Sequence, residues 1–317
     1  MESPSDSGLK ELWFKKEREK RMTILLLAAL LPPIILLVWI YKLDKIESEP
    51  PRLILKLLLF GALSCIPAAI IESVLSGILP NIISPYQFGT LYQFVFYFLV
   101  VAWTEEGVKH FALKHGSWRN PAFNYRFDAI VYATAAALGF AAAENVMYVF
   151  QFGIQVAALR AVTAIPGHCI FGIYMGYYYG QAKHCEQNGD SAGRRRYMFL
   201  SMFMPVMLHG FYDFCATLDY ALMTIVFLVY IVILDIFAFR SIKRFAREDE
   251  HIPGTAEDGD FGYGAGDPYE KYRQGTYGDY GDTTYTNWQN QHSGGWQNGT
   301  GQQTDDDDPF GIGPLSH

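Results

Sequence analysis

Residues 94–110 read Phe94-Val95-Phe96-Tyr97-Phe98-Leu99-Val100-Val101-Ala102-Trp103-Thr104-Glu105-Glu106-Gly107-Val108-Lys109-His110. Drawn over about residues 91–113, this apolar segment has the roughly 20 residues that a helix needs to cross a bilayer, yet two adjacent carboxylates interrupt it. Glu105 and Lys109 stand four residues apart on one helical face, with Glu106 about 100° round, so the lysine offsets one charge while the other carboxylate shares or holds a proton. Such a pair can work as a general base. Alternatively, the helix stops at Trp103 and Glu105 to His110 are its solvated end. The rest of the chain has to decide between these.

Outward from this stretch, six further apolar segments can be drawn at about 23–41, 54–79, 128–150, 157–182, 197–217 and 220–240. Half of the 317 residues are apolar and arrive in these blocks, so length counts membrane spans here and not soluble domains. Only a helical bundle satisfies its backbone in lipid with such segments. The expected fold is therefore all-α, a polytopic transmembrane bundle of about seven segments. Pro32-Pro33, central in the first segment, predicts either a kink or a hairpin that turns back. No A-x-A-like cleavage site follows Trp39, so residues 23–41 are read as a retained segment behind a basic stretch at 1–22.

Lys and Arg concentrate in alternate connections, at 42–56, 109–126 and 183–196 and after Arg240, while 80–90 and 217–220 carry none. The positive-inside rule then predicts a multi-pass protein of the cell membrane with a cytoplasmic C-terminus. The formal charge of −7 is uneven: residues 248–317 hold 14 of the 32 acids and two of the 25 bases, leaving residues 1–247 mildly basic. Basic residues in short groups between apolar blocks give no nucleic-acid footprint. From residue 248 the composition shifts to Gly, Tyr, Gln, Asn and Asp, which predicts a disordered tail behind a membrane domain at 23–247. That tail either docks an unknown partner or serves as an acidic linker. The four cysteines show neither CxxC nor zinc-finger spacing, so no disulfide framework or thiolate metal site is expected.

Three more segments carry ionisable residues. Glu144-Asn145-x-x-Tyr148 ends a helix of small residues that lets neighbours approach closely. His168 follows Pro166-Gly167, which loosen the helix beside it. His209 and Asp213 lie four apart on one face, where the carboxylate can orient the imidazole. Facing lipid separately, these groups would cost on the order of 10 kcal/mol, so convergence on one polar centre is the economical reading.

Four ordered motifs result: Glu105-Glu106-x-x-Lys109; Asp128-Ala-Ile-Val-Tyr132 leading to Gly139-Phe140-Ala141 and Glu144-Asn145-x-x-Tyr148; Arg160-Ala161 with Gly167-His168; and His209-Gly-x-Tyr212-Asp213-Phe214. In this set the chain resembles the PrsW family of intramembrane peptidases, related to the CAAX prenyl endopeptidases and bacteriocin-processing proteins, over about residues 25–245. Tyr41-Lys42-Leu43-Asp44 and Glu49-Pro50 also look like that family's N-terminal pattern. The resemblance implies cleavage of a membrane-anchored protein, with an anti-sigma factor in envelope-stress signalling as the associated substrate. Glu105, Glu106, His168 and His209 are the expected catalytic residues, supported by Lys109, Glu144, Asn145, Tyr148 and Asp213.

Two mechanisms remain open at this level. In one, Glu105 or Glu106 activates water, His209 held by Asp213 stabilises the oxyanion, and His168 and Glu144 complete the cavity. In the other, His168, His209 and Glu106 hold a divalent metal, with zinc the first choice, although no HExxH helix is present. A transporter or scaffold would also place carboxylates and histidines at mid-membrane. Prenyl endopeptidases, a further alternative, typically carry arginine where Lys109 stands and lack the Glu144-Asn145-x-x-Tyr148 pattern.

Overall fold

The computed structural model describes residues 6–255, with side-chain surroundings from Trp13 onward. Among these the chain runs through α1 (Asp6–Tyr41), α2 (Pro51–Ile82), α3 (Pro85–Val95), a π-helical segment (Phe96–Ala102), α4 (Trp103–Ser117), α5 (Asp128–Phe152), α6 (Ile154–Val162), α7 (Ala164–Gln187), α8 (Ser191–Thr217) and α9 (Ala221–Arg247). Six stretches are long and apolar enough to cross a membrane: α1, α2, α5, α6 with α7, α8 and α9. The seventh expected segment corresponds to the run from α3 through the π-helical turns into α4, which is not among these six.

Helix α1 answers the question posed by Pro32-Pro33. It is one helix with both prolines inside it, so the hairpin is not adopted. Pro33 has no N–H for the carbonyl of Ala29, four residues earlier. That carbonyl instead accepts a hydrogen bond from Asn145 Nδ2 at 2.9 Å. A side chain on α5 thus replaces the lost backbone donor, which is how prolines are tolerated in membrane helices.

The bundle is built around α5, which packs against α2 and α7, and whose residues 128–141 are all buried. Alanines and glycines allow this. A Cβ added at Gly61 would overlap the Ala136 carbonyl, and one at Gly139 would overlap the Leu58 carbonyl. Two backbones therefore touch where larger side chains would hold them apart, and the gain is dispersion contact between helices in a solvent that offers no hydrophobic drive.

At one end of the bundle the connections expected on a common side do meet. Lys183 lies over the Trp118 ring at 5.0 Å, and Arg126 pairs with Glu250 at 2.8 Å. The chain also remains attached beyond Arg247, so the expected boundary at 248 does not mark the end of packed structure. Ile252 is fully buried and its N–H donates to Asn124 O at 2.7 Å, while Asp249 Oδ1 accepts from the Phe127 N–H at 2.8 Å. The remainder of the expected tail, from residue 256, lies outside the described residues.

Candidate active site

The π-helical turns at Phe96–Ala102 run directly into α4, which opens with Trp103-Thr104-Glu105-Glu106. A π-helical segment carries more residues per turn than an α-helix and so resets which face the following residues present. Here Thr104, Glu105, Glu106 and Lys109 all turn inward and are buried. Lys109 Nζ donates to Glu105 Oε2 at 3.0 Å, to Glu106 Oε1 at 2.8 Å and to His168 Nδ1 at 3.1 Å, and lies 4.1 Å from the centre of the Phe140 ring. An ammonium has three protons, so this set uses all of them. His168 Nδ1 is then an acceptor, and its Nε2–H donates to Glu144 Oε2 at 2.9 Å.

Helix α8 brings His209 to the other side of the glutamates. Its Nδ1 donates to Glu106 Oε1 at 2.8 Å, while Nε2 lies 3.3 Å from Asp213 Oδ2 and 4.0 Å from Glu105 Oε2. The glycine beside it explains the approach: a Cβ at Gly210 would stand 2.6 Å from Cδ1 of Phe98 on the π-helical segment. Phe171 of α7 stacks on the His209 ring at 5.0 Å, and the two imidazoles meet edge to face at 5.3 Å. Four residues from three helices are thereby fixed in one cluster.

The chain turns sharply at Gly153, whose φ of 89° is a left-handed conformation that suits glycine, and returns as the short α6. From α6, Arg160 reaches back to Glu144 Oε2 at 2.7 Å and to Asn145 Oδ1 at 3.0 Å. Asn145 therefore bridges Arg160 and the proline-freed carbonyl of α1, outside the glutamate–histidine cluster. Tyr148 likewise stands outside that cluster, with its ring centre 4.2 Å from the Arg160 guanidinium and the residue 39% exposed. Arg160 has more contacts than its appearance in a motif suggested, and the role of tying Glu144 was not assigned to it from sequence.

A cleft of about 650 Å³ opens onto this cluster. Glu105, Glu144, His168, His209 and Asp213 line it, whereas Glu106 and Lys109 do not and are fully buried behind them. Opposite them stands Glu72 of α2, with one buried carboxylate oxygen that has no hydrogen-bond partner. Sequence reading passed over Glu72, although a lone acid in the middle of a 32-residue apolar helix is a signal in itself.

Glu105, Glu106, His168 and His209 each offer a ligand atom within 4.8 Å of the others. Two imidazoles with two carboxylates are a donor set suited to zinc, and Glu106 keeps one buried oxygen, Oε2, without a partner. The donor types therefore suit a divalent metal, which at His168 would take a ring nitrogen now occupied by Lys109 or Glu144.

A family model described as PrsW family intramembrane metalloprotease matches residues 49–239. The chain is 34% identical to Protease PrsW of Oceanobacillus iheyensis over 224 residues, covering 70% of this chain and 96% of that protein. It is 34% identical to Protease PrsW of Clostridioides difficile over 216 residues, 66% of this chain and 86% of that one, and 31% identical to Protease PrsW of Bacillus subtilis over 196 residues, 62% and 84% respectively. No solved structure matches this chain.

Proposed function

Because the chain belongs to the PrsW family of intramembrane metalloproteases, we propose that it cuts a membrane-anchored protein, an anti-sigma factor by family association, at a peptide bond presented to Glu105 in the cleft. The observation that carries the assignment is the division of the two adjacent glutamates. Glu105 lines the cleft, and Glu106 is sealed behind it against Lys109 and His209.

In this reading Glu105 accepts a proton from the attacking water and returns it to the leaving amine nitrogen. Glu106 serves a different end: by accepting from His209 Nδ1 it fixes the ring, and the Nε2–H, which lies 3.3 Å from Asp213 Oδ2 in the resting site, is the group that stabilises the oxyanion. Lys109 holds both carboxylates in place. Glu144 sets the tautomer of His168 and is itself held by Arg160. In the alternative mechanism a zinc ion held by His168, His209 and Glu106 would supply carbonyl polarisation and water activation in place of the His209 N–H. The basic connections gathered at one end of the bundle support a cytoplasmic C-terminus. With α1 unbroken, and with the run from α3 into α4 crossing beside the six long apolar stretches, the N-terminus then lies outside.

The test compares membrane-protein fragments from cells carrying the wild type, Glu105→Gln or Glu106→Gln, with folded protein measured in each. A fragment made by the wild type and lost with Glu105→Gln identifies the substrate. The base removed by that change is expected to be worth roughly 10²–10⁴-fold in cleavage. Full cleavage by Glu105→Gln at normal protein level would remove Glu105 as the base. Chelation and zinc add-back on the purified protease tests the metal separately, since cleavage indifferent to chelator excludes a required ion.

A further inference from the structure

A second group of carboxylates lies at the other end of α5, 16 residues and therefore about 24 Å along the helix from Glu144. It joins Asp44 and Glu49, from the connection between α1 and α2, to Asp128 in the first turn of α5. Each offers an oxygen within 4.8 Å of the other two. Glu49 and Asp128 are both only 1% exposed.

The partners of these oxygens are unevenly distributed. Glu49 Oε2 accepts from the Tyr132 hydroxyl, and Asp128 Oδ2 accepts from the N–H groups of Asn124 and Tyr125 at 2.9 and 2.7 Å. Their other oxygens, Glu49 Oε1 and Asp128 Oδ1, are buried with no hydrogen-bond partner, and so is Asp44 Oδ2. Among the described residues no lysine or arginine forms an ion pair with any of the three. The nearby charges that act on them, Glu47 and Asp249, are also acidic. Burying an uncompensated carboxylate is costly, and unpaired oxygens on two such groups side by side call for a positive charge between them.

We propose that Asp44, Glu49 and Asp128 form a second metal site that takes a hard divalent cation, calcium or magnesium, distinct from the histidine and glutamate site in the cleft. The donor chemistry separates the two. This site offers oxygen alone, which suits calcium or magnesium, whereas the cleft offers imidazole nitrogen as well. Asp44 is only partly buried, which leaves a side open to water ligands. Bound there, the ion fastens the α1–α2 connection to the first turn of α5, beside the point where Asp249 accepts from the Phe127 N–H. It would thus tie two separate parts of the chain at one end of the helix that carries Glu144 at the other.

The rival for the same geometry is a proton shared between Glu49 and Asp128, and the experiment separates them. Full-length protein in detergent micelles is stripped with chelator at neutral pH, then titrated with calcium or with magnesium alone while thermal unfolding and bound ion are measured. The wild type is expected to bind one such ion and to unfold at a higher temperature with it. Asp44→Asn, at the exposed edge, is expected to weaken binding by on the order of tenfold or more, and Glu49→Gln to abolish it. His209→Ala, which damages only the cleft site, is expected to retain the effect. A wild type that neither binds nor responds to either ion overturns the proposal in favour of the shared proton. Unchanged binding in Glu49→Gln and Asp44→Asn overturns it as well.

Discussion

Lys109→Met is the change whose consequence can be worked most fully from the geometry. Methionine matches the length and volume of the lysine stem but removes the donor of hydrogen bonds at 3.0, 2.8 and 3.1 Å to Glu105, Glu106 and His168. Bonds to charged groups contribute about 1.5–3 kcal/mol each, so the two to glutamate alone amount to about 3–6 kcal/mol. Removing one partner of a buried ion pair costs about 3–5 kcal/mol, because the other charge stays behind. Glu105 borders the cleft and can turn to water, which recovers part of the loss; Glu106 is fully buried and cannot. The expected destabilisation is therefore about 3 kcal/mol or somewhat more, read as the unfolding free energy in mixed micelles. Adding Glu106→Gln removes the stranded charge, so the double variant should be more stable than the sum of the two single losses by about 1–3 kcal/mol. Strict additivity, or a single Lys109→Met variant within about 1 kcal/mol of the wild type, would refute the claim that Lys109 neutralises Glu106.

Gly139→Val should force α2 away from α5 at the Leu58 carbonyl and cost about 1–3 kcal/mol or more of stability, visible as a lowered thermal midpoint. A chain ending at Arg247 loses the buried Ile252 and the Asp249 acceptor and should unfold at a lower temperature than one ending at Thr255. In chelator, stability should fall as the pH rises from about 4.5 towards 8, as followed by unfolding at a series of pH values. Burial raises the folded Glu49 carboxyl to about 8 and Asp44 to about 7, so in that interval the unfolded chain has released protons that the folded chain still holds. Glu49→Gln should flatten this slope, and a rise over the same interval would contradict it.

The seven apolar blocks and their bundle were legible because each block is long and lipid leaves the backbone no alternative to helix. The meeting of Glu105, Glu106, His168 and His209 was legible too, because isolated ionisable groups are costly in lipid and convergence removes that cost. The division of labour within the pair was not. Whether Glu105 or Glu106 faces the cleft depends on the rotation set by the π-helical turns, and nothing in Phe96-Tyr97-Phe98-Leu99-Val100-Val101-Ala102 announces an extra residue per turn. Pro32-Pro33 left a kink and a hairpin both open for a related reason. Local propensity says that the helix loses hydrogen bonds there, but the donor that replaces one of them, Asn145, lies 116 residues later in the chain. Asp44, Glu49 and Asp128 stood in the sequence motifs, but their encounter was not legible, because it depends on how the α1–α2 connection folds against α5, which no local periodicity encodes.

Around the cleft, four carboxylates, those of Glu105, Glu106, Glu144 and Asp213, meet two permanent cations, Lys109 and Arg160. The set is short of electroneutrality by two positive charges, and Glu72 across the cleft only widens the gap. Among the helices such an imbalance is only partly screened, so protons or an ion make good part of it. Two protons on imidazole or carboxylate do so, and one divalent ion does so equally. Both draw on the same groups, so uptake of an ion would release protons from them. The acidity of the compartment facing the cleft would then set how much of the protease is loaded at any moment, with no part of the fold needing to move.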